Sequence, residues 1–268
     1  MWKAPAAPER VPLVAGPVLL RHRFAPPLSA RAAILVDAST GRVLWALRAH
    51  QRRKIASTTK IMTALLALRH LRAHDVVTVD PSVPLVPLVK EGLRAGERVQ
   101  AWKLFYGLLL YSGNDDALAL AIASAGSRNA FVREMNDEAR SLGLRQTHFR
   151  SPSGVEDSDN YSSASDLAAL TRVAMRNERF VAIVRTRFKR VRWSPPTYAK
   201  EYVNKNLLLG TYPGANGVKT GYTTKAGRCL VASARRGRVS LIAVVLDAPN
   251  EYVDAKRLLN LGFRSGRG

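Results

Sequence analysis

Apolar residues recur along the chain at spacings that predict an alternation of strands and helices. The apolar runs Ala32–Val36 and Val43–Leu47 flank a turn-forming segment, Asp37–Gly41, and this arrangement predicts a β-hairpin. The next segment, Ser57–Leu71, carries apolar residues three or four positions apart, which is the spacing of one face of a helix. The folded part of the chain is therefore expected to begin with a hairpin and a helix.

The middle of the chain is predicted to be mainly helical. A short strand, Val76–Val79, and an irregular proline-containing segment, 81–87, precede it. The polar stretch 146–162 contains proline, glycine and several Asp and Ser residues, and it is predicted to be a long loop of the kind that often has a function. Helices are predicted at Ala101–Tyr111, Asp115–Ser124 and Ser127–Leu142, and from the N-cap Ser163 to Arg176.

The C-terminal part returns to the periodicity of strands. Arg187–Trp193 alternates basic and apolar residues and is predicted to be an exposed edge strand. Cys229–Ala234 and Val239–Leu246 are predicted to form a second hairpin, followed by a last helix at Glu251–Leu261. Because hairpins lie at both ends with helices between them, we expect an α+β fold in which both ends of the chain contribute to one antiparallel sheet.

Length and composition indicate one large domain behind a leader. The chain has 268 residues, of which 47% are hydrophobic, and no apolar stretch reaches the ~18 residues of a membrane span. We expect a single domain at 31–268, preceded by a leader or disordered segment at 1–30. The apolar run Val11–Leu20 is similar to a secretory signal, but Pro12 and Pro17 interrupt it, so both interpretations of the leader stay open.

The strong positive charge has two interpretations. The chain has 42 Lys and Arg residues against 20 Asp and Glu, which gives a net charge of +22. This charge indicates either an anionic partner, such as an acidic wall polymer, or a general bias of the surface. The basic residues form no single block, with Arg-Arg pairs as far apart as 52–53 and 235–236. No nucleic-acid motif is visible, so nucleic acid is not an expected partner.

Three short motifs occur in order at predicted element boundaries. They are Ser57-Thr-Thr-Lys60, Ser112-Gly-Asn114 and Lys219-Thr-Gly221. Residues three apart on a helix lie on one face, so Lys60 is expected beside the Ser57 hydroxyl. A lysine accepts the proton of a serine only if its pKa falls, either through burial or through a neighbouring cation. Lys219 is a candidate for that cation.

The other motif residues have chemistry that suits the same reaction. Lys219 can alternatively bind a substrate carboxylate, Ser112 can relay a proton to the leaving group, and Asn114 can orient the first lysine and the substrate amide. Backbone N–H groups at Ser57 and after the Lys-Thr-Gly motif can form an oxyanion hole. Each motif alone is weak, and Ser57 alone is typical of a helix N-cap. The ordered trio is the one found in penicillin-binding proteins and class A β-lactamases.

Longer strings around these motifs resemble one family. From about Ala32 to Phe263 the chain resembles the serine D-Ala-D-Ala carboxypeptidases, which are low-molecular-mass penicillin-binding proteins. This similarity is far more specific than the trio alone. It is carried by the strings Ile55-Ala-Ser-Thr-Thr-Lys-Ile-Met-Thr-Ala64, Ser112-Gly-Asn-Asp-Asp116, Ser151-Pro-Ser-Gly154, Tyr161-Ser-Ser-Ala164, Asn206-Leu-Leu-Leu209 and Gly217-Val-Lys-Thr-Gly-Tyr-Thr223.

The resemblance implies a β-lactamase/transpeptidase-like fold, with an antiparallel sheet flanked by helices and a mostly helical subdomain. It implies an acyl-enzyme on Ser57 with Lys60 as proton acceptor, Ser112 and Asn114 as further catalytic residues, and no metal or organic cofactor. The backbone of Ser57 and of the residue after Lys-Thr-Gly would form the oxyanion hole. The substrate-binding residues it implies are Lys219, Thr220, Gly221 and Tyr222.

The same resemblance implies the partners and the location of the protein. The substrate would be a peptidoglycan stem peptide, β-lactam antibiotics would bind covalently, and the protein would act outside the cytoplasm. Because Phe263 lies close to the last residue, no C-terminal membrane anchor is expected. The proline-rich stretch 83–90 departs from the family pattern.

Several alternatives stay open at this point. A DD-endopeptidase or a β-lactamase of the same fold would share the trio, and Glu156 with Asn160 can mimic the deacylating element of a β-lactamase. His70 and His74 have the helical spacing of metal ligands, but no acidic ligand motif accompanies them and zinc is not expected. Cys229, the only cysteine, lies in an apolar strand and is predicted to be buried.

Overall fold

The computed structural model of the chain describes residues 13, 27–87, 89–155, 159–193 and 200–265. Most of the predicted leader therefore lies outside the described residues. The strands are β1 Ala32–Asp37, β2 Val43–Leu47, β3 Arg53–Lys54, β4 Val76–Thr78, β5 Arg98–Gln100, β6 Tyr161–Ser162, β7 Phe188–Val191, β8 Lys200–Val203, β9 Ala215–Thr223, β10 Gly227–Arg236 and β11 Val239–Leu246. The helices are α1 Lys60–His70, α2 Ala101–Tyr106, α3 Asn114–Ala125, α4 Arg128–Ser141, α5 Ala164–Ala174, α6 Glu178–Val184 and α7 Glu251–Ser265.

The central element is an antiparallel sheet with the strand order β2-β1-β11-β10-β9. Strand β1 pairs with β11 in the register Val36↔Ile242, so the first and last strands of the chain are neighbours. The α+β prediction, with one sheet built from both ends of the chain, is confirmed. Strand β9 is at one edge of this sheet, and it contains the Lys219–Gly221 motif.

Both faces of the sheet are covered, which explains why β1 is apolar without interruption. Ile34 and Val36 belong to the core that contains α1, α3 and α5, whereas Leu35 belongs to a second core with α7. Successive residues of a strand point to opposite faces, so a strand between two cores needs apolar residues at every position. Helix α7 lies especially close to the sheet, because a Cβ on Gly262 would come within 2.6 Å of Leu241.

The helical middle of the chain forms the predicted subdomain. The helix expected at Ala101–Tyr111 begins as α2 and continues as a π-helical turn over Gly107–Tyr111, and α3 and α4 follow. The π-turn ends at Ser112, whose φ of 75° is in the left-handed region. Such turns are rare and often occur at functional sites. Here the turn places the second motif at the junction of two helices.

Four parts of the C-terminal half differ from the sequence prediction. The motif strand β9 was not predicted, and neither was α6 or β8. The edge strand expected at Arg187–Trp193 is shorter, and it pairs with β8 in a separate two-stranded sheet. Within the described ranges, no helix is long and apolar enough to cross a membrane.

A buried carboxylate of α7 ties the N-terminal end of the domain to the C-terminal helix. Asp254 is fully buried, and its Oδ2 accepts hydrogen bonds from the Ser29 N–H, the Ser29 hydroxyl and the Ala30 N–H at 2.8–2.9 Å. Hydrogen bonds to a charged group stabilise more than neutral ones. This contact fixes the chain directly before β1.

Replacing this carboxylate should destabilise the fold. Asp254→Ala leaves the buried Ala30 N–H and the partly buried Ser29 N–H without an acceptor, and we expect it to lower the free energy of unfolding by about 3 kcal/mol. The matched control is Asp137→Ala, because Asp137 forms an exposed ion pair with Arg140 and should contribute less than about 1 kcal/mol. Urea unfolding followed by circular dichroism measures both. Equal losses of unfolding free energy in the two variants would contradict a stabilising role for the Asp254 hydrogen bonds.

Candidate active site

The first motif lies on a tight turn that leads into α1. Ser57 is in a 3₁₀ turn, Ala56–Thr59, and its side chain is only 7% exposed. Ala56 has a φ of 45°, a left-handed conformation that is costly for a residue with a Cβ. The Ser57 hydroxyl does not cap a helix, because it instead accepts a hydrogen bond from Lys60. The alternative interpretation of Ser57 as a helix N-cap is therefore not supported.

Lys60 is the first residue of α1 and is completely buried. Its Nζ donates to Ser57 Oγ at 3.0 Å, to Asn114 Oδ1 at 2.8 Å and to the Ser153 carbonyl at 3.0 Å. An ammonium group has three protons, and all three are bonded. A neutral amine would keep the bonds to Asn114 and Ser153 and direct its lone pair at the serine hydroxyl.

The surroundings of Lys60 favour this neutral form. Burial lowers the pKa of Lys60 from its ordinary value to about 7, an effect that Asp116 opposes and the positive charge of Lys205 adds to. Lys205 is thus one neighbouring cation that lowers the Lys60 pKa, and the suggested cation Lys219 also interacts with Lys60, whose charge lowers the Lys219 pKa. Lys205 was not among the predicted site residues.

Asn114 is held from two sides. It begins α3, its side-chain N–H donates to the Pro87 carbonyl at 3.0 Å, and its backbone N–H donates to the Val89 carbonyl at 2.7 Å. The proline-rich stretch that departs from the family pattern therefore fixes the amide that bonds Lys60. Ser112 is buried two residues earlier, on the left-handed turn.

Two acidic residues directly follow the second motif in the sequence, and both are buried. The Asp115 carboxylate accepts the backbone N–H groups of Glu91, Gly92 and Leu93 and fixes that loop. Asp116 is fully buried, and neither of its oxygens has a hydrogen-bond partner among the described residues. Burial, followed by the charges of Glu91 and Asp115, raises the pKa of Asp116 well above its ordinary value. This pair lies within one of the family-like strings, but neither residue was among the predicted site residues.

The third motif approaches the serine turn from the sheet edge. A Cβ on Gly221 would lie 3.0 Å from the Ser57 nitrogen and 3.1 Å from the Thr58 nitrogen, so β9 packs directly on the backbone of the turn. Lys219 is buried and donates to the Thr220 carbonyl at 3.0 Å. Burial, and then the charges of Lys60 and Lys205, lower the Lys219 pKa well below its ordinary value.

The side of the cleft beyond this motif is more open. Tyr222 is 63% exposed, and the Arg228 guanidinium lies 5.6 Å from its ring centroid. Lys205 is exposed, with its Nζ 4.7 Å from the ring centroid of Tyr111, and its charge lowers the pKa of both Lys60 and Lys219. Three lysines therefore face one cleft beside the Ser57 hydroxyl. A negatively charged ligand would relieve their mutual repulsion.

The predicted long loop closes the base of the site. Its Ser153 carbonyl bonds Lys60, and its Pro152 carbonyl accepts the Thr63 hydroxyl at 2.6 Å. Gly154 has a φ of 78°, and a Cβ there would lie 2.1 Å from the Ala56 carbonyl oxygen. The carbonyl contact to Lys60 could not be read from the sequence, because any residue type supplies a carbonyl.

The β-lactamase-like string falls partly on this loop. Asn160 has a positioning role: its Oδ1 accepts the backbone N–H groups of Arg150 and Ser151, and its Nδ2 donates to Thr59 Oγ1 at 3.1 Å. Glu156 lies outside the described residues.

The other candidate sites are less developed. His70 contacts Glu134 through a 2.6 Å hydrogen bond, and within the described segments no group of three or more His, Cys, Asp or Glu side chains is placed to hold a metal ion. Cys229 is buried as predicted, and burial raises the pKa of its thiol to about 12. A thiol with that pKa is not a reactive nucleophile at neutral pH.

The sequence and the fold both match one family of serine peptidases. The peptidase S11 family, described as D-alanyl-D-alanine carboxypeptidase, matches residues 21–250. A D-alanyl-D-alanine carboxypeptidase from Streptomyces sp. (strain K15) is 35% identical over 257 residues, which are 89% of this chain and 88% of the relative. The chain therefore belongs to the D-alanyl-D-alanine carboxypeptidase family.

Longer relatives match as well. The D-alanyl-D-alanine carboxypeptidase DacF of Bacillus subtilis (strain 168) is 36% identical over 243 residues, and DacA of Escherichia coli (strain K12) is 34% identical over 255 residues. The match covers 87% and 89% of this chain but only 62% of each relative. The chain thus corresponds to less than two thirds of these proteins.

Solved structures show the same fold. The Streptomyces K15 DD-transpeptidase superposes with a TM-score of 0.84 at 33% identity, covering 89% of this chain and 98% of that chain. A D-alanyl-D-alanine carboxypeptidase from Mycobacterium tuberculosis H37Rv gives a TM-score of 0.83 at 32% identity, covering 89% and 92% of the two chains. The expected β-lactamase/transpeptidase-like fold is confirmed.

A glycine substitution tests how tightly the loop supports the serine turn. Gly154→Ala places a methyl group against the Ala56 carbonyl, and Gly143→Ala has the same left-handed backbone but nothing within 4 Å. We expect Gly143→Ala to cost about 1–2 kcal/mol of unfolding free energy for the backbone alone. Gly154→Ala should cost a further ~1–3 kcal/mol for overpacking. Chemical denaturation measures the difference. Equal losses of unfolding free energy would show that the loop moves to accommodate the methyl group at no further cost.

Proposed function

We propose that this protein is a serine D-alanyl-D-alanine carboxypeptidase that removes the terminal D-Ala of peptidoglycan stem peptides through an acyl-enzyme on Ser57. The observation that carries the proposal is the 3.0 Å contact between Ser57 Oγ and the buried Lys60 amine, whose pKa is about 7. A serine needs an adjacent base to become a nucleophile, and this amine is that base. Family membership and the names of the relatives support the same reaction.

In the proposed acylation, the neutral Lys60 amine removes the Ser57 proton while Oγ attacks the carbonyl carbon of the penultimate D-Ala. Asn114 and Ser153 hold the amine in place during the transfer. The developing oxyanion is bound by the backbone N–H groups of Ser57 and Tyr222, since preorganised donors stabilise charge that forms in the transition state. The proton then passes through Ser112 to the leaving D-Ala nitrogen, and the C–N bond breaks.

The terminal carboxylate of the substrate is proposed to bind Lys219 and Thr220. A buried cation and a carboxylate favour each other's charged form, so the substrate itself would restore the proton on Lys219. Strand β9 is the last strand of its sheet, so the substrate backbone can add to its edge beside Gly221 as an additional strand. Water hydrolyses the acyl-enzyme and releases the shortened peptide.

A β-lactam is proposed to acylate Ser57 by the same route. Its strained amide takes the place of the scissile peptide bond, and its carboxylate takes the place of the substrate carboxylate at Lys219. We propose a long-lived adduct rather than the rapid turnover of a β-lactamase. Burst labelling without continued penicillin hydrolysis is the expected behaviour.

The proposed substrate sets the proposed location. Peptidoglycan stem peptides with D-Ala-D-Ala termini are cross-linked outside the cytoplasm, and we propose that the protein acts there, with 31–268 as the catalytic domain and 1–30 as a leader or a disordered N-terminal segment. Mass spectrometry of the mature N-terminus distinguishes the two: an N-terminus downstream of Met1 identifies a removed leader, and an intact Met1 identifies a retained segment.

The nucleophile can be tested directly. Ser57→Ala removes the attacking oxygen, and we expect acylation by a fluorescent penicillin and D-Ala release from a pentapeptide each to fall by about 10⁴-fold or more. Ser82→Ala is the control, because this exposed serine only bonds Asp80 in a surface turn. Labelling of Ser57→Ala at the rate of the control would exclude Ser57 as the nucleophile.

The pH dependence tests the base. Because the neutral amine is the reactive form, the acylation rate should rise about tenfold per pH unit below pH 7 and level off above the Lys60 pKa. Lys205→Met removes a like charge, so it should raise the Lys60 pKa and move this inflection to higher pH. Stopped-flow acylation at several pH values measures it.

The matched control for the pH experiment is Lys256→Met, which removes the same charge on α7, away from the cleft. Its inflection should coincide with that of the unaltered protein. An inflection that moves equally in both variants would show a general charge effect instead of a local one.

A further inference from the structure

A second cleft lies at the far end of the sheet from Ser57. It has a volume of about 380 Å³ and lies where the β1–β2 turn, the end of α5 and the β10–β11 hairpin meet. Asn216, near the start of β9, forms part of its wall. Gly221 lies five residues further along the same strand, which is about 17 Å at ~3.3 Å per residue. The cleft is therefore distinct from the candidate active site.

Positive side chains dominate this cleft. Arg172, Arg176, Arg235 and Arg238 line it, and none of its lining residues in the described part of the chain is acidic. Arg176, Arg235 and Arg238 are exposed, whereas Arg172 is 6% exposed. Arg176, Arg235 and Arg238 therefore form a positively charged rim, and Arg172 forms the buried, charged floor of the cleft. The volume is within the range of small-ligand sites, near its lower end.

The buried arginine has a structural role that fixes this floor. Arg172 donates from Nε to the Ala38 carbonyl at 3.0 Å and from Nη2 to the Ser39 carbonyl at 3.2 Å. Burial and then the charge of Arg176 lower the pKa of Arg172, while Asp37 on the adjacent turn raises it. Two arginines are thus held close enough to repel each other.

Some arginines elsewhere on the described surface pair with carboxylates. Arg69 pairs with Glu138, Arg190 with Glu201, and Arg228 with Glu251. In contrast, the three rim arginines of the cleft form no ion pair with a carboxylate in the described segments. Like charges gathered around one concave site with no carboxylate in its lining favour binding of an anion from solution.

The geometry indicates what kind of anion fits. A guanidinium group presents a planar fork of donors that matches the oxygens of phosphate, and several such forks around one cleft suit a ligand with more than one phosphate group. The lining contains no Phe, Tyr, Trp or His among the described residues. Grooves for single-stranded nucleic acid combine basic residues with stacking aromatics, so this cleft favours a phosphate polymer that has no bases.

We propose that the arginine cleft binds the phosphate groups of a phosphodiester polymer of the cell wall. The net charge of +22 indicates an anionic partner but does not indicate where on the protein that partner binds. The arginine cleft supplies that binding site. A polymer held there would keep the protein at the wall while the other end of β9 stays open to stem peptides. The proposal does not depend on catalysis by Ser57.

The test is titration calorimetry with a synthetic glycerol phosphate hexamer and, separately, inorganic phosphate. The variant carries Arg176→Gln, Arg235→Gln and Arg238→Gln and leaves Arg172 in place, since Arg172 holds a turn. We expect it to bind the hexamer about tenfold to 100-fold more weakly than the unaltered protein. Unchanged penicillin labelling would show that it is folded.

The matched control is a variant with Arg98→Gln, Arg133→Gln and Arg145→Gln. These arginines are exposed and form no ion pair in the described segments, so the control loses the same charge away from the cleft. It should bind the hexamer as the unaltered protein does. Equal losses in the two variants, or no binding by the unaltered protein, would overturn the proposal.

Titrations with different ligands identify the source of the phosphate. Tighter binding of the hexamer than of inorganic phosphate supports a polymer, and equal binding overturns the polymer in favour of a free phosphate ligand. Tighter binding of a thymidine oligonucleotide of equal charge would assign the cleft to nucleic acid instead. Ser57→Ala should retain hexamer binding, so failure of the carboxypeptidase proposal and failure of this one give different results.

Discussion

The rest of the site depends on burying one lysine amine without leaving any of its protons unbonded. Burial keeps the Lys60 pKa near neutrality, and it is possible only because Ser57, Asn114 and Ser153 supply an acceptor each. These acceptors come from the serine turn, the start of α3 and the long loop. Three separate segments must therefore meet at one nitrogen, and the strained Ala56 backbone is part of what that meeting requires.

Much of the fold follows from apolar periodicity, whereas the edge strand β9 does not. The hairpins and α1, α3 and α4 have regular apolar spacing, and they form where the pattern predicts. Strand β9 contains Lys219, Thr220 and two glycines in place of an alternating apolar pattern, because it serves the cleft as well as the sheet. A pattern of burial cannot reveal a strand whose glycine packs on the serine backbone and whose lysine is buried beside it.

The candidate site was predictable where the chemistry needs a particular side chain and unpredictable where it needs only proximity. The serine, the two motif lysines and Asn114 are named by their motifs, and their arrangement in space agrees with helical spacing at Ser57 and Lys60. The carbonyl of Ser153 has no sequence signal. Lys205 and Asp116 act on Lys60 through charge and burial, which depend on packing between segments far apart in the chain.

The position of β9 at the sheet edge has a consequence for solubility. An open edge strand is a template on which a second copy of a protein can add, which leads to aggregation. Here the edge strand carries two glycines and a buried lysine, and an inward-pointing charge is one of the devices by which natural sheets discourage such pairing. The residue proposed to receive the substrate carboxylate is thus also a charge that disfavours pairing of this edge with another sheet.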